Sequence, residues 1–241
     1  MAHLAHYRQS HPLPYVITHW INLISIVVLI ISGIYIHFPF MPGFMGVARG
    51  AHIFFAFTMI LNLIFRVISS FFVKSAPAGG TRMVTTDIKS FMPQVDNRHQ
   101  LWPWIKYYLF LQKDHPLGAK YGVPQKITYV FIPILIICIA FTGFCMWAPS
   151  STAPLLVAFT NGVGGIMVVR IIHFYLMCVF VIFMMIHVYL VFIEGTAPVK
   201  MMFIWKEHKG LVYDPKVHTI VGEDDMDESD QGGSKSTANA K

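Results

Sequence analysis

Four of the twelve histidines in this 241-residue chain, His19, His52, His173 and His187, fall inside long apolar runs. Ionisable side chains in such runs are expensive to place in a bilayer and are by default functional. His173 and His187 are 14 positions apart in one run. At about 100° and 1.5 Å per residue, that step is nearly four helical turns and roughly 21 Å of rise. Both imidazoles therefore project from one face of one helix at two depths. One helix needs that arrangement to ligate two haems stacked across a membrane.

The elements that must position these rings are four apolar runs, 15–37, 47–73, 126–147 and 168–193. Each exceeds the ~20 residues a helix needs to cross about 30 Å of hydrocarbon. Hydrophobic residues make up 55% of the chain and charged residues 12%, leaving too little polar surface for a water-soluble domain of this size. The first run is too long for a cleavable signal and is read as a span. The fold class expected is all-α, an integral membrane four-helix bundle.

The net charge of +6 reports orientation, and nucleic-acid binding is not expected. Of the 18 Lys and Arg residues, Arg8 precedes the first run, eight lie between Lys74 and Lys126, and six follow residue 194. The connections 38–48 and 148–167 contain none. The positive-inside rule then makes both termini and the 74–125 connection cytoplasmic, with the two short connections outside.

That topology supplies the remaining axial ligands. His19, early in an outward-running helix, is level with His187, late in an inward-running one, and His52 is level with His173. Each pair would give a bis-imidazole iron with no open position, suited to electron transfer. The same 14-residue step from His19 reaches Gly33, where an absent side chain leaves room for a macrocycle at the outer level. From His52 it reaches Arg66 at the cytoplasmic level, where a guanidinium suits a haem propionate. An arginine at that depth costs about 3 kcal/mol and needs a partner. Arg49 and Arg170 each precede an outer ligand by three positions and are candidates for the outer propionates, the alternative being snorkelling to the surface. His37 is read as a hydrogen bond across helices. His3, His6, His11, His99, His115, His208 and His218 are read as solvent or interface residues.

No Cys-x-x-Cys-His occurs, so haem would not be covalently attached, and Cys138, Cys145 and Cys178 read as small core residues. Residues 1–210 are expected to form one membrane domain, and 211–241, with the acidic run 223–230, a cytoplasmic solvated tail. The aromatic-rich stretch 101–111 suits the headgroup interface, or the wall of a ligand site.

These residues resemble the di-haem b-type cytochrome subunits of membrane-bound nickel–iron hydrogenases and the gamma subunits of respiratory formate dehydrogenases. The resemblance spans about residues 12–208 and rests on His19-Trp20, Arg49-x-x-His52, the stretch from Lys120 to Lys126, Thr142-Gly143 and the His173/His187 pair. It implies a bacterial cytoplasmic (inner) membrane location and two haem b groups. It also implies an iron–sulfur subunit and a catalytic subunit docked on the outer face, and menaquinone or ubiquinone reduced beside the cytoplasmic haem. Lys120, Tyr121 and Gln125 match the family's quinone region. The family often has an Asn where this chain has Gly122, and Asn22, three positions after His19, is with Gln125 the candidate replacement amide, the alternative for Asn22 being a helix–helix hydrogen bond. A nickel–iron hydrogenase is the expected setting, with formate or a reduced sulfur compound as alternative donors. A transporter with an intramembrane His/Arg path is the competing class; depth-matched histidines and the lack of paired broken-helix signals stand against it.

Overall fold

The computed structural model describes residues 3–5, 12–75, 85–91, 99–113, 116, 122–193, 199, 202–204, 210–214 and 219–224. Four long helices dominate it: α1 (Leu13–His37), α2 (Met45–Phe72), α5 (Val123–Met146) and α7 (Ile166–Ile193). Three short helices lie in the connections: α3 (Asp87–Phe91), α4 (Leu101–Tyr108) and α6 (Pro154–Gly162). The long four have mean hydropathies of 1.9 to 2.8 and turn most of their apolar side chains outward. That is the reverse of a water-soluble bundle and the arrangement lipid requires. The chain is a multi-pass membrane protein.

Proline starts several of these helices. Pro14, Pro124 and Pro154 sit in the first turn, where a missing N–H removes no ladder bond. The helix α6 within the 148–167 connection was not anticipated from sequence. Its start is Pro154, and it ends just before the Gly164-Gly165 pair, both at φ +102°, where only glycine is unstrained.

Lipid tails give helices little hydrophobic reason to associate, so close packing and interhelical hydrogen bonds must hold them together. The closest pairing is α1 with α2, followed by α5 with α7. On α1 the seven-residue series Thr18, Ser25, Ser32 is buried throughout, a stripe of small side chains that lets the neighbouring backbone approach. Asn62 of α2, also buried, donates to the Thr18 carbonyl and to the Asn22 side chain, each at 2.8 Å. Each such bond is worth about 0.6 kcal/mol in a membrane.

Residues 3–5, 210–214 and 219–224 form strands β1, β4 and β5 of a small antiparallel sheet in the order β1-β4-β5. A two-residue ribbon pairs β2 (Lys74–Ser75) with β3 (Thr85–Thr86). The strands β4 and β5 fall in and beside the segment expected as a solvated tail. Val212, Thr219, Ile220 and Val221 favour extended backbone, and the acidic run that follows masks that signal in the composition. β1, ahead of α1, pairs with β4, beyond α7; the end of the bundle where α1 starts and α7 ends is hereafter the terminal side. The 38–44 and 147–165 connections lie at the other end, the loop side.

Candidate functional site

The long helices carry their key residues in three levels seven residues apart. At the loop-side level are Gly33, His52, Gly143 and His173. The middle level holds Ile26, Met59, Ile136 and Phe180, all in the main apolar core. At the terminal-side level are His19, Arg66, Tyr129 and His187. Seven residues are nearly two turns, so each helix keeps one face inward through all three.

Within these levels the four histidines meet in pairs. The rings of His52 and His173 have centroids 6.3 Å apart, and those of His19 and His187 lie 6.0 Å apart. On the loop side each ring is seated by a hydroxyl-glycine dipeptide of a neighbouring helix. Ser32 Oγ lies 2.9 Å from His52 Nδ1, and a Cβ on Gly33 would come within 3.3 Å of His52 Cε1. Thr142 Oγ1 lies 2.9 Å from His173 Nδ1, and a Cβ on Gly143 would come within 3.5 Å of His173 Cε1. Both hydroxyls are buried. On the terminal side Phe183 stacks on His187, at 5.7 Å and 23°, and Trp20 meets His19 edge-on. The Trp20 indole N–H donates to the Met202 carbonyl at 2.7 Å, tying the chain after α7 back to α1.

Beside the terminal-side pair, Arg66 has a partner that sequence reasoning missed. Its Nη2 lies 3.1 Å from Asp87 Oδ2, and its guanidinium carbon sits 3.5 Å from the Tyr15 ring centroid. Asp87, the first residue of α3, is fully buried. A carboxylate on a helix of five residues leaves no periodic signal, so nothing in the sequence singled it out. Arg49 and Arg170 are exposed near the loop end of the bundle. His37, expected to hydrogen-bond across helices, instead stacks on Phe174 at 5.1 Å and 28°.

The family described as prokaryotic cytochrome b561 matches residues 10–204. The chain belongs to that family. A probable Ni/Fe-hydrogenase B-type cytochrome subunit from Azotobacter chroococcum mcd 1 is 30% identical over 192 residues, covering 71% of this chain and 75% of the relative. The protein is thus a membrane cytochrome b subunit of the hydrogenase type.

A b-type cytochrome holds haem b, and the residues present fit it. Metal–imidazole bonds of about 2 Å on both sides of one ion hold two ring centroids roughly 6 Å apart, as both pairs are held. Among the described residues no cluster of three or more His, Cys, Asp or Glu could hold a bare metal ion. A macrocycle needs only two protein ligands, and paired histidines satisfy that need.

Two of the residues expected near quinone, Asn22 and Gln125, lie among the described residues. Asn22 accepts the hydrogen bond from Asn62, so its oxygen is engaged between helices. Gln125 Oε1 accepts from the Gly122 N–H at 2.8 Å and closes the start of α5 as a cap. Lys120 and Tyr121 lie outside the described residues. Gly122 has a structural reason of its own: a Cβ there would come within 2.9 Å of Cζ2 of the buried Trp104 ring. That contact locks α4 to the start of α5. Tyr189 of α7 donates to the Tyr108 carbonyl from the other side, at 3.1 Å. Between α4, α5 and α7 runs an apolar groove of about 410 Å³ bordered by Ile105, Tyr108, Pro124, Ile127, Ile186 and Tyr189. Ile186, one of its lining residues, immediately precedes His187 in α7.

Proposed function

We propose that this cytochrome passes electrons from outward-facing iron–sulfur and catalytic subunits of a nickel–iron hydrogenase to a membrane quinone, using two haem b groups. The observation that carries this reading is the pair of imidazole couples, 6.0 and 6.3 Å between centroids, at levels 14 residues apart along α7. His52 and His173 would hold one haem, and His19 and His187 the other. Bound there, haem b supplies one-electron transfer at an iron with no open coordination position. Gly33 and Gly143 keep the loop-side rings seated. Arg49 and Arg170 are the cationic groups for the loop-side propionates. Arg66, held by Asp87 and Tyr15, places positive charge at the terminal-side level.

The concentration of Lys and Arg in the 74–125 connection and after residue 194 supports a cytoplasmic terminal side in a bacterial inner membrane. Donor subunits then dock on the loop side. The groove between α4, α5 and α7 is the proposed quinone position, apolar enough for a prenylated ring and lined by the residue that precedes His187. Lys120, Tyr121, Gln125 and Asn22 are the polar groups proposed to serve the quinone; Gln125 directly follows Pro124 of the groove lining. Two electrons delivered from the donor subunits and two protons taken from the cytoplasm would convert quinone to quinol there.

The test is purification of the intact complex from detergent-solubilised membranes. Nickel–iron hydrogenase subunits should co-purify, and hydrogen should reduce a b-type spectrum that added quinone reoxidises. A colourless chain, or one that co-purifies with formate or sulfur-compound oxidising subunits and ignores hydrogen, overturns the assignment.

A further inference from the structure

The two loop-side histidines share a surround that the family assignment does not explain. Each Nδ1 meets a buried hydroxyl from a helix that supplies no ligand to that pair, Ser32 of α1 for His52 and Thr142 of α5 for His173, both at 2.9 Å. Each hydroxyl has a place for its own proton on its helix backbone. Ser32 Oγ is 2.6 Å from the Val28 carbonyl and 3.3 Å from that of Leu29. Thr142 Oγ1 is 3.1 Å from the Cys138 carbonyl and 2.9 Å from that of Ile139. With its proton given to a carbonyl of its own helix, each hydroxyl oxygen accepts from the imidazole, so Nδ1 carries the ring proton. The other ring nitrogen, Nε2, is then left with its lone pair free to bind a metal.

Resting on the reading that this pair holds a haem, we propose that Ser32 and Thr142 are positioning residues that fix the tautomer and rotation of both loop-side axial ligands and thereby set that haem's potential. Acceptors on the outer nitrogen of a ligating imidazole orient the ring and raise its basicity. A more basic ligand stabilises the oxidised iron, so removing the acceptor oxygens raises the midpoint potential. The adjacent glycines serve the same seat. With Gly33 and Gly143 the ring edge approaches the helix closely enough for the hydroxyl one residue away to reach Nδ1.

The experiment is a redox titration with low-temperature electron paramagnetic resonance of the purified complex carrying Ser32→Ala and Thr142→Val together. Ser32→Thr and Thr142→Ser, which keep the oxygens, are the controls. The expected result is two haems per chain with the loop-side potential raised, by about 59 mV for each tenfold change in its oxidised-to-reduced ratio. Its low-spin signal should also shift, while the terminal-side haem and both controls stay as in the wild type. Loss of the loop-side haem alone, with the controls retaining it, supports the same role. Two haems with unchanged potentials and signals in the double variant overturn the proposal. A wild-type chain without a haem at this pair overturns the reading beneath it instead.

Discussion

The chemistry of single residues divides this chain into groups set by the pattern of one helix and groups set by contacts between helices. His19, His52, His173 and His187 belong to the first kind, because position along a helix fixes both depth and facing direction. The depth of Gly33 was legible for the same reason, but the group it makes room for in the structure is the His52 ring. Asp87, Ser32 and the engagement of Asn22 with Asn62 belong to the second kind, and a single sequence carries no trace of which side chain lies across an interface. Arg66 shows both sides. Its depth demands a partner, and its partner is a fully buried carboxylate on a helix of five residues. Removing one member of a buried ion pair strands the other and typically costs about 3–5 kcal/mol. Asp87→Ala should therefore lower the melting temperature of the detergent-solubilised protein sharply, and Asp87→Ala with Arg66→Met should recover much of the loss. Equal losses in the single and double variants would mean that the pair contributes little. A midpoint shift of the terminal-side haem in Arg66→Met would add an electrostatic role to the structural one.

Among the elements, the four spans were legible almost to their ends because hydrocarbon thickness and apolar length are one constraint. The starts and ends expected at 15–37, 47–73, 126–147 and 168–193 lie within three residues of those observed. Shorter elements were less legible. The α4 stretch has the composition of an interfacial anchor, but its burial of Trp104 against Gly122 depends on a contact no periodicity encodes. Because a Cβ at 122 has no space, Gly122→Leu should displace α4. Quinone reduction should then show a Michaelis constant raised several-fold, with both haems still reducible by donor. Unaltered quinone kinetics in that variant would move the quinone away from the groove. The middle level makes a separate demand. Phe180, seven residues from each α7 histidine, fills the core between the two pairs with Met59 and Ile136. Phe180→Ala leaves a cavity there and should destabilise the bundle by about 3 kcal/mol, read as a fall in melting temperature, whereas Phe180→Leu should lose much less. Equal effects of the two substitutions would show that the level is loosely packed.

For the molecule as a whole, three levels on four helices make a bundle with two polar floors and one apolar floor between them. That order comes from the seven-residue step, repeated on α1, α2, α5 and α7, and it was half visible in the sequence as the 14-residue spacing of ligands. The apolar floor was not visible, since Ile26, Met59, Ile136 and Phe180 are ordinary residues in apolar runs. Direction across the membrane rests on charge: the terminal side carries nearly all the Lys and Arg outside the spans, and the loop-side connections carry none. The most direct measurement is the haem content of the purified wild-type complex and of four single variants, His19→Ala, His52→Ala, His173→Ala and His187→Ala, by pyridine haemochrome and reduced-minus-oxidised spectra. Two haems b per wild-type chain are expected. His52→Ala and His173→Ala should lose the same one, and His19→Ala and His187→Ala the other. A wild-type chain with fewer than two haems, or variants that lose haem in a different pairing, would contradict the assignment of one haem to each couple.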